Sequence, residues 1–207
     1  SEQCAHTVKA AVFEGTNQSI FRDRQEFTGS LLQQMNEVYE YIDRRNQVHS
    51  TFDKLRRIDT RDYPEVAIRE ALLNSLVHRD YSFSASTLIS VYDDRIEFTS
   101  IGGLSAGVSL DDIMLGLSVC RNPKLANVFY RLELIEAYGT DMKKIMGAYE
   151  NSNKKPVIET TDNAFKIILP NLNKDVGSLP VADAGSEAER QVLEFIKKNG
   201  SISRKET

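Results

Sequence analysis

Apolar residues recur at helical spacing twice in the first third of the chain. Leu31, Leu32, Met35, Val38, Tyr39 and Ile42 return every three or four positions with charge between them, predicting a helix from about Phe27 to Arg44. Ahead of it, Val8 to Phe13, a turn at Gly15-Thr-Asn17 and Ile20-Phe21 read as strand, turn, strand. His49 to Tyr63 is polar, charged and aperiodic, and reads as an irregular crossing or an isolated strand. Pro64 then suits the first position of a helix, where its missing N–H costs nothing. Ile68, Ala71, Leu72 and Ser75 form one row of that helix, and Val66, Leu73, Leu76 and Val77 extend it almost all round, so the helix should be buried.

Further along, the period shortens to two. Leu88 to Tyr92 and Ile96 to Thr99 flank Asp93-Asp94-Arg95 and predict a hairpin, followed by a glycine-rich loop from Gly102 to Gly107. Ser109 and Asp112 have capping-box spacing at the start of a short helix. Pro123 opens another helix, carried by Leu125, Val128, Phe129, Leu132 and Ile135 and ended by Gly139. A short helix from Met142 to Tyr149 and a second hairpin, Pro156 to Thr160 with Ala164 to Leu169, complete an α+β layout. Its sheet should be mostly antiparallel, with helices gathered on one face. Asn171 to Gly185 is polar and aperiodic, with a linker expected over 173–185. Ser186 caps an amphipathic helix bearing Val192, Leu193 and Ile196, and a second helix is only beginning at Thr207. The chain starts without Met, so it reads as a piece of a longer protein whose last module, 186–207, is cut short.

The 26 basic and 30 acidic residues give a net charge of −4, which argues against a broad nucleic-acid footprint. Cys4 and Cys120 have neither disulfide-framework nor metal-ligand spacing and fit a reducing, cytoplasmic setting. No apolar run reaches the roughly twenty residues that span a bilayer.

Candidate chemistry gathers on the Pro64 helix. Glu70, Asn74 and His78 are spaced by four and lie along one stripe. A Glu there can orient and deprotonate a water, and an Asn can offer a neutral oxygen to Mg²⁺. The plainer reading has Glu70 pairing with a nearby Arg and His78 capping the helix. Gly102 and Gly103 follow a strand and can bring backbone N–H groups to a phosphate, while Gly139-Thr140 precedes another helix and is either an anion site or an ordinary cap.

Taken in order, Arg69 to Tyr81, Arg95-Ile-Glu-Phe98 with Gly102-Gly103, Arg121-Asn-Pro123, Arg131 to Glu136 and Tyr138-Gly-Thr140 resemble one family. It is the histidine-kinase-like ATPase domain of bacterial transcriptional regulators often labelled RecG-related helicases. The resemblance covers roughly Val8 to Asn171 and implies a two-layer Bergerat (GHKL-like) sandwich. Such domains usually sit between a Schlafen/AlbA-like domain and a winged helix-turn-helix, which would make 186–207 the start of the latter. It further implies ATP with Mg²⁺ as ligand, Glu70 as water-activating acid and Asn74 as Mg²⁺ ligand. His78 would lie beside the nucleotide, Ser100, Gly102 and Gly103 in the first glycine box, and Gly139 and Thr140 in the second.

Several positions depart from that pattern. The usual Asn-Pro-Gly-Gly is Ser100-Ile-Gly-Gly103, and the usual Gly-Thr-Gly-Ile is Gly139-Thr-Asp-Met142. Asp141 thereby sets a negative charge where a triphosphate would lie. No Gly-Lys pair exists in the chain, so a P-loop motor is excluded and helicase activity is not expected. Three functions stay open: a regulatory nucleotide-binding module, a degenerate scaffold or dimerisation unit, and at most a slow ATPase. Expected partners are a nucleotide, DNA through the winged helix alone, and a second copy in a homodimer, with no membrane.

Overall fold

A computed structural model describes residues 6–136 and 138–174, all within one unit spanning Ser1–Val176. The expectations for Cys4, the 175–185 part of the linker and the helix-turn-helix start at 186–207 lie outside the described residues.

Six strands form one mixed, mostly antiparallel sheet: β1 (Val8–Phe13), β2 (Phe21–Phe27), β5 (Thr87–Val91), β6 (Arg95–Ile101), β7 (Val157–Thr160) and β8 (Ala164–Pro170). Their order is β2-β1-β5-β6-β8-β7, and only β1 and β5 run parallel. The helices are α1 (Leu31–Asp43), α2 (Glu65–Val77), α3 (Leu110–Leu115), α4 (Pro123–Arg131) and α5 (Asp141–Gly147). Strands β3 (Val48–Asp53) and β4 (Arg56–Arg61) make a separate two-stranded sheet.

One sheet face supplies Val8, Ala10, Ile89, Val91, Ile96, Phe98, Phe165, Ile167 and Leu169 to the core. Helix α2 fills the middle of that core with Ile68, Leu72 and Leu76, each at most 1% exposed. Alternate positions on the central strands, Lys9, Ser90, Glu97 and Lys166, form the opposite, polar face. There Glu97 is flanked by Arg95 at 2.6 Å and Lys166 at 3.7 Å.

The boundaries depart from expectation where backbone chemistry intervenes. The first helix starts at Leu31, not Phe27, because Gly29 takes φ +92° and the Ser30 side chain caps the Gln33 N–H. Phe27 instead ends a β2 longer than Ile20-Phe21, whose charged Arg22 to Glu26 hid an exposed edge strand. Pro64 is the N-cap residue of α2 rather than its first helical residue. Helix α4 stops at Arg131, well before Gly139, as Glu133 turns the chain at φ +57°. The aperiodic His49–Tyr63 stretch contains the β3–β4 hairpin. Ser109 and Asp112 form the expected capping box. Among the described residues, no helix is long and apolar enough to cross a membrane.

Candidate functional site

Helix α2 carries Glu70, Asn74 and His78 from the core to the surface near the ends of β6 and β8. Its C-terminus is held by the N-cap residue of α4: Asn122 Nδ2 donates to the carbonyls of Val77 (2.9 Å) and Arg79 (2.7 Å). These carbonyls would otherwise be orphaned at the helix end. The Asp80 N–H donates to the Ile101 carbonyl at 2.8 Å, tying the exit of α2 to the exit of β6.

Two clefts share Asn74, His78, Ser118 and Asp141. The first, about 70 Å³, runs between Ser100, Gly102 and Gly103 on one side and Val119, Arg121, Gly139 and Met142 on the other. The second, about 360 Å³, lies over α2 and α4 and is bordered by Glu70, Cys120, Asn127, Tyr130 and Glu136. The structure thus places Asn74, His78, Ser100, Gly102, Gly103 and Gly139 around one cleft and Glu70 on its neighbour. Thr140 lines neither; its hydroxyl donates to Glu136 Oε2 at 3.3 Å.

The glycines act by steric necessity. A Cβ on Gly103 would lie 2.0 Å from the Thr161 carbonyl oxygen, so only glycine lets the loop press against the β7–β8 turn. At Gly102, φ is +101° and a Cβ would fall 1.8 Å from Arg121 Nη1. Their N–H groups do not face a ligand, contrary to the phosphate-cradle expectation. Gly102 donates to the Asn163 carbonyl at 2.8 Å and Gly103 to that of Asp162 at 3.3 Å. Gly139, at φ +62°, packs against Gly116, whose carbonyl oxygen would lie 2.2 Å from an added Cβ.

Charge is distributed unevenly. Glu70 is buried and paired with Arg69 Nη1 at 2.5 Å and Lys144 Nζ at 3.8 Å. Arg69 in turn donates to the Leu134 carbonyl at 2.5 Å. Burial raises the Glu70 pKa, and the two cations oppose that rise. The arginine pairing of the plainer reading is therefore present, and His78 is indeed the C-cap residue of α2. Burial lowers the His78 pKa, against the pull of the Asp141 carboxylate and a hydrogen bond with the Val119 backbone. Asp141 is shifted upward, again by burial, with His78 and Lys144 opposing.

Among the described residues no lysine or arginine lines the larger cleft, while Glu70, Glu136 and Asp141 do, and Lys144 pairs with Glu136 at 3.0 Å beside it. The smaller cleft has one cation, Arg121, whose Nη2 donates to the Gly103 carbonyl at 2.8 Å and whose Nη1 is 3.5 Å from Asp80 Oδ2. Residue type alone does not mark Arg121 as a site residue; the Arg121-Asn-Pro123 run is the signal for it in the sequence. Cys120 is exposed, and among the described residues no three His, Cys, Asp or Glu side chains group to hold a metal.

These residues fit an Mg²⁺-triphosphate poorly. The charged lining of the larger cleft is Glu70, Glu136 and Asp141, with Lys144 already paired to the first two, and the amides of Gly102 and Gly103 on the smaller cleft are already bonded. No chemical step through that ligand follows from the arrangement.

Residues 85–169, less than half of the chain, match the family model described as "Putative ATP-dependent DNA helicase recG C-terminal". That match supports a RecG-related, ATPase-like domain; it takes in Ser100 to Thr140 but not Glu70, Asn74 or His78. Among solved structures, the chain is similar to the DIP2311 protein from Corynebacterium diphtheriae. The TM-score is 0.74 at 21% identity, over 81% of this chain and 35% of that one. The likeness establishes a shared fold, and the chain spans about a third of that protein's length. Comparison with curated proteins gives no match.

Proposed function

We propose that this chain is the nucleotide-site module of a transcriptional regulator, built on a Bergerat-type sandwich. In this reading the site is degenerate: it holds a triphosphate weakly or not at all and modulates an attached DNA-binding domain without turnover. The observation that carries it is the larger cleft, whose charged lining among the described residues is Glu70, Glu136 and Asp141, while the nearby Lys144 is drawn into pairs with Glu70 and Glu136. Phosphates entering that wall meet like charge at short range. DNA contact falls to a winged helix beyond the described residues, and the helicase part of the family description does not transfer to a chain without a P-loop.

Calorimetric titration of the chain with Mg²⁺-ATP tests this reading. Little or no heat is expected up to millimolar nucleotide, and a dissociation constant below the micromolar range overturns it. Asp141→Gly, which restores the family's usual residue at the second glycine box, should strengthen binding.

A slow ATPase is favoured by one observation: Glu70 and Asn74 stand one helical turn apart on the same cleft. Glu70→Gln separates the two readings, since it is close to isosteric and tests charge and basicity rather than packing. Equal, near-zero turnover in both proteins supports the degenerate site. Wild-type hydrolysis that vanishes in the variant establishes the ATPase.

A further inference from the structure

Among the described residues the β3–β4 hairpin is a ribbon without a third strand. Its strands pair with each other and with no other described strand, and none of their residues is buried on either face. A two-stranded ribbon alone in water is marginally stable at best. This one also exposes apolar side chains: Phe52 is 72% exposed, Leu55 fully, and Val48 and Ile58 each about half. Ion pairs from Arg61 to Asp43 and Glu65, and the His49 ring set 3.0 Å from the Asp62 carboxylate, anchor its base.

The outer edge of β4 can be read residue by residue. The Asp62 N–H donates to the Gln47 carbonyl, so Gln47 and Asp62 are a hydrogen-bonded pair. Such pairs alternate along an antiparallel ladder, so His49–Thr60, Thr51–Ile58 and Asp53–Arg56 are the inward-bonding pairs. Arg57, Asp59 and Arg61 therefore point their N–H and C=O groups outward, along an edge that no described strand pairs.

That edge is complementary to itself. When β4 meets a second copy antiparallel about a two-fold axis at Ile58, Arg57 stands opposite Asp59 of the second copy, and Asp59 opposite its Arg57. All four residues have outward backbone groups, so both positions become hydrogen-bonded pairs, and Ile58 meets its own copy in the close, non-bonded position between them. Opposite charges directly across a ladder stabilise it, whereas like charges in that place destabilise it. The arrangement is isologous and closed.

We propose that β4 is a homodimerisation edge, pairing with β4 of a second copy about Ile58 to give a four-stranded sheet in the order β3-β4-β4-β3. The inference is independent of the nucleotide reading.

Sedimentation velocity of the 207-residue chain over a range of concentrations tests it. The wild type should dimerise. Arg57→Asp and Asp59→Arg, each of which sets like charges face to face twice, should weaken dimerisation by roughly ten-fold or more. Combining the two reverses both charges at once and should restore the dimer. Neither position contributes to the core, and far-UV circular dichroism checks that each variant is folded. Geometry has its own test, in a chain carrying Cys4→Ser and Cys120→Ser. Facing non-bonded residues are ~4.5 Å apart at Cα, within disulfide reach. Ile58→Cys should therefore cross-link on mild oxidation, and Thr60→Cys should not. A chain that stays monomeric throughout overturns the proposal, as does a dimer indifferent to both charge reversals or an Ile58→Cys chain that does not cross-link.

Discussion

Helix α2 and the β3–β4 hairpin are adjacent in the chain and opposite in environment. Nine of the thirteen residues of α2 are buried, including Glu70 and Ser75, so its polar groups must find partners inside the protein. Glu70 finds Arg69 and Lys144, Ser75 donates to the Leu72 carbonyl, and the helix end finds Asn122. The hairpin has no buried strand residue, and its charges pair along the surface, as Arg57 does with Asp59 at 2.7 Å. The candidate chemistry lies where the surroundings hold every neighbour fixed, and the proposed association where backbone edges stay open. The contrast predicts how differently the two regions respond to substitution.

The largest effect belongs to the buried helix. Leu72→Ala should cost about 2–5 kcal/mol in urea unfolding, since the lost side chain leaves a cavity among rigid neighbours. A cost below 1 kcal/mol would mean that α2 is not the centre of the core. Next comes Gly103→Ala, where the new methyl meets backbone oxygen that cannot step aside; about 1–3 kcal/mol of stability should be lost. Asn122→Ala should remove about 1–3 kcal/mol by leaving two carbonyls at the end of α2 without their donor, measurable as a lower thermal midpoint.

A smaller effect follows from His78. Its folded-state pKa is below the ordinary 6.5, so between those two values the unfolded chain binds a proton that the folded chain refuses. Stability should therefore fall as pH drops through 6.5 and level off below the folded pKa. His78→Gln should flatten that part of the pH–stability curve, and an unchanged slope would show that His78 titrates normally. The smallest effect is at the hairpin tip: Leu55→Ser should change the stability of the dilute chain by no more than ~0.5 kcal/mol. A large loss there would erase the contrast between the two regions.

Elements with one strong periodicity were legible from residue types alone. The apolar surround of α2, the β5–β6 pairing across Asp93-Asp94-Arg95 and the Ser109–Asp112 capping box all follow from local pattern. The α+β class and the grouping of Glu70, Asn74 and His78 on one helix were equally readable, because 3.6-residue spacing sets a stripe wherever the helix lies. Strand β2 and the hairpin were not, since exposed strands need no apolar face and so carry no period-two signal.

What only the tertiary structure decided concerns groups distant in sequence. Whether Gly102 and Gly103 offer their amides to a ligand depended on the β7–β8 turn some sixty residues later, which takes both. The parallel placement of β1 beside β5 depended on strands separated by β2, two helices and a hairpin. Asp141 became a neighbour of His78 only because the α4–α5 segment folds back over the end of α2. Local pattern sets backbone conformation and side-chain face over a few residues, because those interactions are short-ranged and act within one element. The electrostatics of a cleft arise where several elements meet, and the residue types of one segment carry no record of which charges another will bring to it.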